Sequence, residues 1–300
     1  ARCLTQITAS TEKSKFLVGT VGAKNNILCM LEYDDETSNI TSTSYEHPDE
    51  IWDVASCPTD EHLLFTCHSP VSGNLQQKAT LWQKSANDDD KHMLKNLVTL
   101  DQPNIRKVLW DPTRDNSQVA SIDSSHIYLS TLGNGAKTSL SIDVSSTFSS
   151  DPDTPALRRL QNAVWNPHNP EIITVGDRCL SGWDLRSGKS VFEHQNAHKS
   201  TIRAVDYNTN KPYHVVTGGD DAQVKIWDVR NFAKPAMIVE GHTHWVWSVA
   251  LNKFHDQLLL TSSSDTLVNL HNVVSVSSAS YLRDQNSSDE DQQDEDYWNK

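Results

Sequence analysis

Two landmarks recur at one interval. Trp183 and Trp227 stand 44 residues apart, and Asp221 and Asp265 stand 44 apart again. Between them the chain repeats one order: a β-branched run, a tight turn carrying Asp, a second run ending in Trp-Asp, a looser stretch, then Gly-His. Thr217-Gly-Gly-Asp-Asp221 leads into Val224-Lys-Ile-Trp227-Asp228, then Gly241-His242, an apolar run from Trp245, and Thr261-Ser-Ser-Ser-Asp265. A unit of this length cannot bury both faces of its own sheet, so its neighbours must be further copies.

A small polar turn, a β-branched run and Trp-Asp at this period mark a blade of a WD-repeat β-propeller, so the expected fold class is all-β. Six units can be read. The first has strands near 16–20 and 27–33, with a weak outer strand at 40–45. The second has strands near 50–57, 63–67 and 79–82, followed by a charged surface loop over 85–96 that contains Asp88-Asp-Asp90. The third has strands near 108–110, 119–122 and 126–129, and a long excursion between blades is expected over 133–155, mobile at its 145–154 end. The fourth, fifth and sixth units follow the landmarks, with His271 standing where the sixth should have Trp. Residues 1–276 are thus expected to form an incomplete propeller, and residues 277–300 an acidic, disordered linker or tail.

Composition narrows the function classes. The net charge is −13, and the stretch 283–300 is strongly acidic, which argues against nucleic acid as a partner. No run approaches 18 apolar residues, so no direct membrane insertion is expected. The chain begins Ala1-Arg2-Cys3, with no initiator Met and no apolar leader segment. Five scattered cysteines with no Cys-x-x-Cys suggest a reducing compartment rather than a disulfide framework. Thirteen histidines show no zinc-ligand spacing, and no phosphate loop or dinucleotide fingerprint is present. No metal, cofactor or small-molecule substrate is expected. The isolated pair Arg158-Arg159 reads as solvated.

The residue types in the fifth unit permit a buried hydrogen-bond chain of His198, Thr217, Asp221 and Trp227; His242, Thr261 and Asp265 repeat three of its members. His, Thr and Asp could pass for a catalytic triad, but recurrence in register argues for structure, and no nucleophile elbow accompanies them. The chain is therefore read as non-enzymatic. Trp245 falls near the rim of a blade, where aromatic residues serve as binding anchors. By offset from the blade histidines, Glu50 and Thr201 are its equivalents. Trp245 and Trp247 are expected to face opposite ways. Trp-Asp-x-Arg occurs twice, ending at Arg186 and Arg230, and in some propellers this motif docks the adaptor of a cullin-type ubiquitin ligase. A substrate receptor of such a ligase and a chromatin-binding propeller are the alternatives to a general interaction platform.

Several segments carry a more specific likeness: Glu50-Ile-Trp-Asp-Val-Ala-Ser-Cys-Pro58, Gly219-Asp-Asp-Ala-Gln-Val-Lys-Ile-Trp-Asp-Val-Arg-Asn231, His242-Thr-His-Trp-Val-Trp-Ser-Val, and His255-Asp-Gln-Leu-Leu-Leu-Thr. Together they resemble the EARP- and GARP-complex-interacting protein family of WD-repeat proteins, from about Cys3 to Ser278. The resemblance implies a seven-bladed ring, of which this chain would hold six blades without the closing one. It also implies binding to multisubunit tethering complexes of the EARP/GARP type, in endosomal recycling and retrograde transport. The implied location is cytoplasmic, peripheral on the trans-Golgi network and recycling endosomes. It transfers no catalytic residue.

Overall fold

The computed structural model describes residues 2–22, 25–71, 76–85, 93–113, 117–133, 135–145 and 159–278. The chain divides into two compact units, Ala1–Ser146 with Leu185–Lys189, and Thr147–Asp184 with Ser190–Lys300. Among the described residues the secondary structure is almost wholly strand, and no helix is long and apolar enough to cross a membrane.

The first unit holds three four-stranded sheets. Sheet one is β1 (Cys3–Gln6), β2 (Ser14–Gly19), β3 (Asn26–Asp34) and β4 (Asn39–His47). Sheet two is β5 (Glu50–Ser56), β6 (Leu63–Ser69), β7 (Lys78–Lys84) and β8 (Leu94–Thr99). Sheet three is β9 (Lys107–Trp110), β10 (Gln118–Ile122), β11 (His126–Gly133) and β12 (Gly135–Asp143). The second unit holds three more. Sheet four is β13 (Leu160–Trp165), β14 (Glu171–Gly176), β15 (Cys179–Asp184) and β16 (Ser190–His194). Sheet five is β17 (Ile202–Tyr207), β18 (His214–Gly219), β19 (Val224–Asp228) and β20 (Met237–Val239). Sheet six is β21 (Val246–Leu251), β22 (Leu258–Ser263) and β23 (Val268–Asn272). Every sheet is an antiparallel meander in chain order.

The second strands of sheets two to five explain why the sequence pattern is so plain there. In β6, β10, β14 and β18 nearly every residue is buried, on both faces of the pleat. These strands read as continuous β-branched and apolar runs, such as Ile172-Ile-Thr-Val175, because both faces of the pleat are buried. Within each unit the first strand of one sheet packs on the first two strands of the sheet before it, as β5 does on β1 and β2, and β21 on β17 and β18. The approach is close: a Cβ on Gly218 would lie 2.7 Å from a methyl of Val246, and one on Gly19 would lie 2.6 Å from a methyl of Ile51. Glycine in these two places lets adjacent sheets meet. The core is thus a set of layers between sheets, such as Val216, Val224 and Ile226 against Val246, Val249 and Leu259.

The fourth strands depart from the sequence reading. Residues 94–96, expected in a charged loop, begin β8, and residues 135–143, expected in an excursion, form β12. Both strands bond a neighbour along only one edge and are largely open to solvent, so they carry no apolar run for a pattern to detect. The Asp88–Asp90 loop, the 146–158 part of the excursion with Arg158, and the acidic tail from 279 onward lie outside the described residues. Order extends past 276: Val274–Val276 makes one 3₁₀ turn, Ser277 is buried, and Ser278 donates through its N–H and hydroxyl to Asp256.

Candidate functional site

The predicted hydrogen-bond chain of sheet five is complete. The Trp227 indole N–H donates to Thr217 Oγ1 at 2.9 Å, the Thr217 hydroxyl faces His198 Nε2 at 2.8 Å, and His198 Nδ1 faces Asp221 Oδ1 at 2.9 Å. A carboxylate only accepts, so the proton sits on Nδ1 and the Thr hydroxyl donates to Nε2. Burial pushes the His198 imidazole below its ordinary value, which keeps it neutral in this chain. Burial would raise Asp221, but the His198 bond and the N–H groups of Lys199 and Gln223 outweigh it and hold the carboxyl down at about 2.

Sheet six repeats the arrangement with one substitution. His242 Nδ1 bonds Asp265 Oδ2 at 2.8 Å, and His242 Nε2 meets Thr261 Oγ1 at 2.8 Å. His271, in the Trp place, reaches Thr261 Oγ1 through Nε2 at 3.0 Å and completes the chain as an imidazole donor. Sheet two holds a third version that the sequence reading passed over. Trp82 donates to Thr66 at 2.8 Å, and Thr66 bonds His47 Nε2 at 3.1 Å. Pro70 stands where the turn Asp would be, so His47 Nδ1 turns to the Asp49 carbonyl instead. The Asp49 carboxylate serves a second histidine, His68, which runs on to Thr80. The signal was available: His and Thr are 19 residues apart in all three sheets. These side chains are engaged with one another inside the sheets, and among the described residues no group of three or more His, Cys, Asp or Glu could hold a metal ion.

A second repeat lies at the rim. The pairing of first and second strands slips at one residue in four sheets, and the extra residue is Trp52, Gln161, Arg203 or Trp247. A bulge releases a side chain from strict alternation and re-aims it. Each of three bulge residues then bonds a partner 17 residues on: Trp52 to Ser69, Arg203 to Asp220 by two bonds of 2.8 and 2.7 Å, and Trp247 to Ser264. Arg203 in turn lies over the rings of Trp245 and Trp247, at 5.9 and 5.3 Å, as Arg2 lies over Trp52 at 5.6 Å.

Trp245 and Trp247 therefore share one side, with ring centres 6.0 Å apart, contrary to the expectation that they diverge. Residues two apart share a face of a strand, and the bulge at Trp247 brings its ring edge to face with Trp245. Both indoles are 43% exposed, and His244 packs on Trp245 at 5.0 Å. Of the two proposed equivalents, Glu50 is half-buried and accepts from the Gly22 N–H. Thr201 is only 6% exposed, because it is folded under the β18–β19 turn with its carbonyl accepting from Asp220, so it offers a partner no side chain. Arg186 is exposed in the turn after β15. Arg230 is 60% exposed, pairs with Asp228 through two bonds and stacks on Tyr213 at 4.1 Å.

Meander sheets stacked first strand on second strand, with a His-Thr-Asp chain inside, are the architecture of a β-propeller. The family model for the EIPR1 β-propeller matches residues 1–271, and the chain belongs to that family. A protein of Rattus norvegicus named EARP and GARP complex-interacting protein 1 is 36% identical over 298 residues, covering 93% of this chain and 76% of the relative. The Homo sapiens protein of the same name is 34% identical over the same shares. WD repeat-containing protein DWA2 of Arabidopsis thaliana is 28% identical over 277 residues, covering 90% of this chain and 75% of the relative.

Proposed function

We propose that this chain is a non-enzymatic interaction platform that binds tethering complexes of the EARP and GARP type. The observation that carries the reading is family membership along most of the chain, with relatives at 34–36% identity named for that interaction. The half-exposed Trp245 and Trp247 supply the kind of rigid aromatic anchor that such an interface needs. In this role the protein acts in the cytoplasm, peripherally on the trans-Golgi network and recycling endosomes, and supports endosomal recycling and retrograde transport. Affinity purification of the tagged chain tests the reading. Recovery of tether subunits by the native chain and their loss with Trp245→Ala is the expected result; no tether subunit with the native chain would end it. The ligase-receptor alternative is disfavoured because the Arg230 guanidinium is already engaged by Asp228 and Tyr213. It would return if Arg186→Ala or Arg230→Ala abolished capture of a cullin adaptor.

A further inference from the structure

The corner between Trp245 and Trp247 has a charge preference that the chain itself displays. The rings meet at 77°, so the face of one indole and the edge of the other bound a concave angle. Arg203 already lies over both rings, and Asp220 holds it with two bonds, so this ion pair brings no net positive charge to the corner. Among the described residues ring surface is left over, since each indole is 43% exposed. The Trp247 N–H is taken by Ser264, so what that residue offers a visitor is its ring. Aromatic faces carry a negative quadrupole potential that attracts cations. The chain carries a net charge of −13, which draws in a basic segment and repels an acidic one.

We infer that this corner receives a cationic side chain, an arginine or lysine borne on an extended segment of the partner protein. The inference rests on the partner-binding reading above and adds the chemistry of the segment that docks. Arg203 buttresses the rings from one side, and the incoming cation covers the surface that remains. Stacking on an aromatic face suits the planar guanidinium better than the compact ammonium, so arginine is the preferred visitor.

The test is calorimetric titration of a tetra-arginine peptide into the full chain at low ionic strength, with a tetra-glutamate peptide as control. The arginine peptide binds and the glutamate peptide does not. Trp245→Ala and Trp247→Ala leave the net charge unchanged, and each weakens the arginine peptide about fivefold. Trp245 precedes its strand, so its substitution spares the sheet; Trp247→Phe keeps a ring at the bulge and retains most of the affinity. Equal affinity in the native chain and both alanine variants would show that diffuse charge alone attracts the peptide, and would overturn the proposal. Tether capture is scored on the same variants. Capture that persists while peptide affinity ignores both substitutions removes the cationic corner and leaves the platform reading standing. A peptide response specific to the tryptophans, with no tether captured by the native chain, does the reverse.

Discussion

In sheet five, Val216, Val224 and Ile226 are 0, 0 and 2% exposed, packed against β21. Forty-four residues on, Leu260, Val268 and Leu270 hold the same register places: Val216 pairs with Ile226 as Leu260 pairs with Leu270. Yet they are 46, 67 and 66% exposed. The two sheets share their pleat, turns and internal hydrogen bonds, and differ in what lies over one face. This apolar row is a packing face in sheet five, and in sheet six nothing among the described residues covers it. Among the described residues, sheet five draws on apolar contact from both sides, while sheet six draws on one. Burying a Val, Leu or Ile side chain is worth roughly 1.5–3 kcal/mol, so the asymmetry should dominate the relative stability of the two sheets.

The largest test of that contrast is a pair of truncations. Ile226→Ala should lower the unfolding free energy by about 3 kcal/mol, while Leu270→Ala should change it by less than about 0.5 kcal/mol, read from urea midpoints at constant m. Equal costs would mean that the exposed row is covered in solution. Next come the hydroxyl hubs. Thr217→Val leaves the Trp227 N–H and His198 without their shared partner in a dry interior, at a cost of about 2 kcal/mol. Thr261→Val should cost about 1 kcal/mol, because water can reach the half-buried His271 in its place.

Acid sharpens the comparison further. Burial lowers the His271 imidazole from 6.5, so the folded chain favours its neutral form. Its stabilising contribution is present above the unfolded value of 6.5 and is lost as pH falls toward the lowered folded value. Sheet five has one imidazole in its chain where sheet six has two. Hydrogen exchange, corrected for intrinsic rate, should therefore quicken in Val268–Asn272 before Val224–Asp228 on going from neutral to mildly acidic buffer. Identical acid sensitivity in the two strands would refute the role given to His271. The smallest stability effect is at the rim: Trp245→Ala should move the unfolding free energy by no more than about 0.5 kcal/mol while tether capture is lost. A large loss of stability would make Trp245 a packing residue instead of an anchor.

The parts legible in the sequence were those where two physical demands coincide. The second strands of sheets two to five had to be apolar on both faces, and the turn Asp221 had to sit 23 residues from its histidine. The outer strands β8, β12 and β16 answered only one demand, backbone pairing along one edge, which almost any polar sequence meets. His271 left its role open because an imidazole can replace an indole as a donor without resembling it. The sheet-two chain stayed hidden because Pro70 removed the Asp that marks the others, although the His47–Thr66 spacing was intact. The orientation of Trp245 and Trp247 was misread as divergent, against the period of two, and the bulge that joins their rings leaves no mark in composition.

The same bulge holds Trp52, Gln161, Arg203 and Trp247, an indole twice, an amide and a guanidinium. An ordinary strand position ties side-chain identity to register, because its neighbours above and below must fit. The slipped residue is exempt from that bargain. Its backbone location is inherited from the repeat, while its chemistry is free to change from blade to blade. A chain made of near-identical parts thereby acquires distinguishable corners.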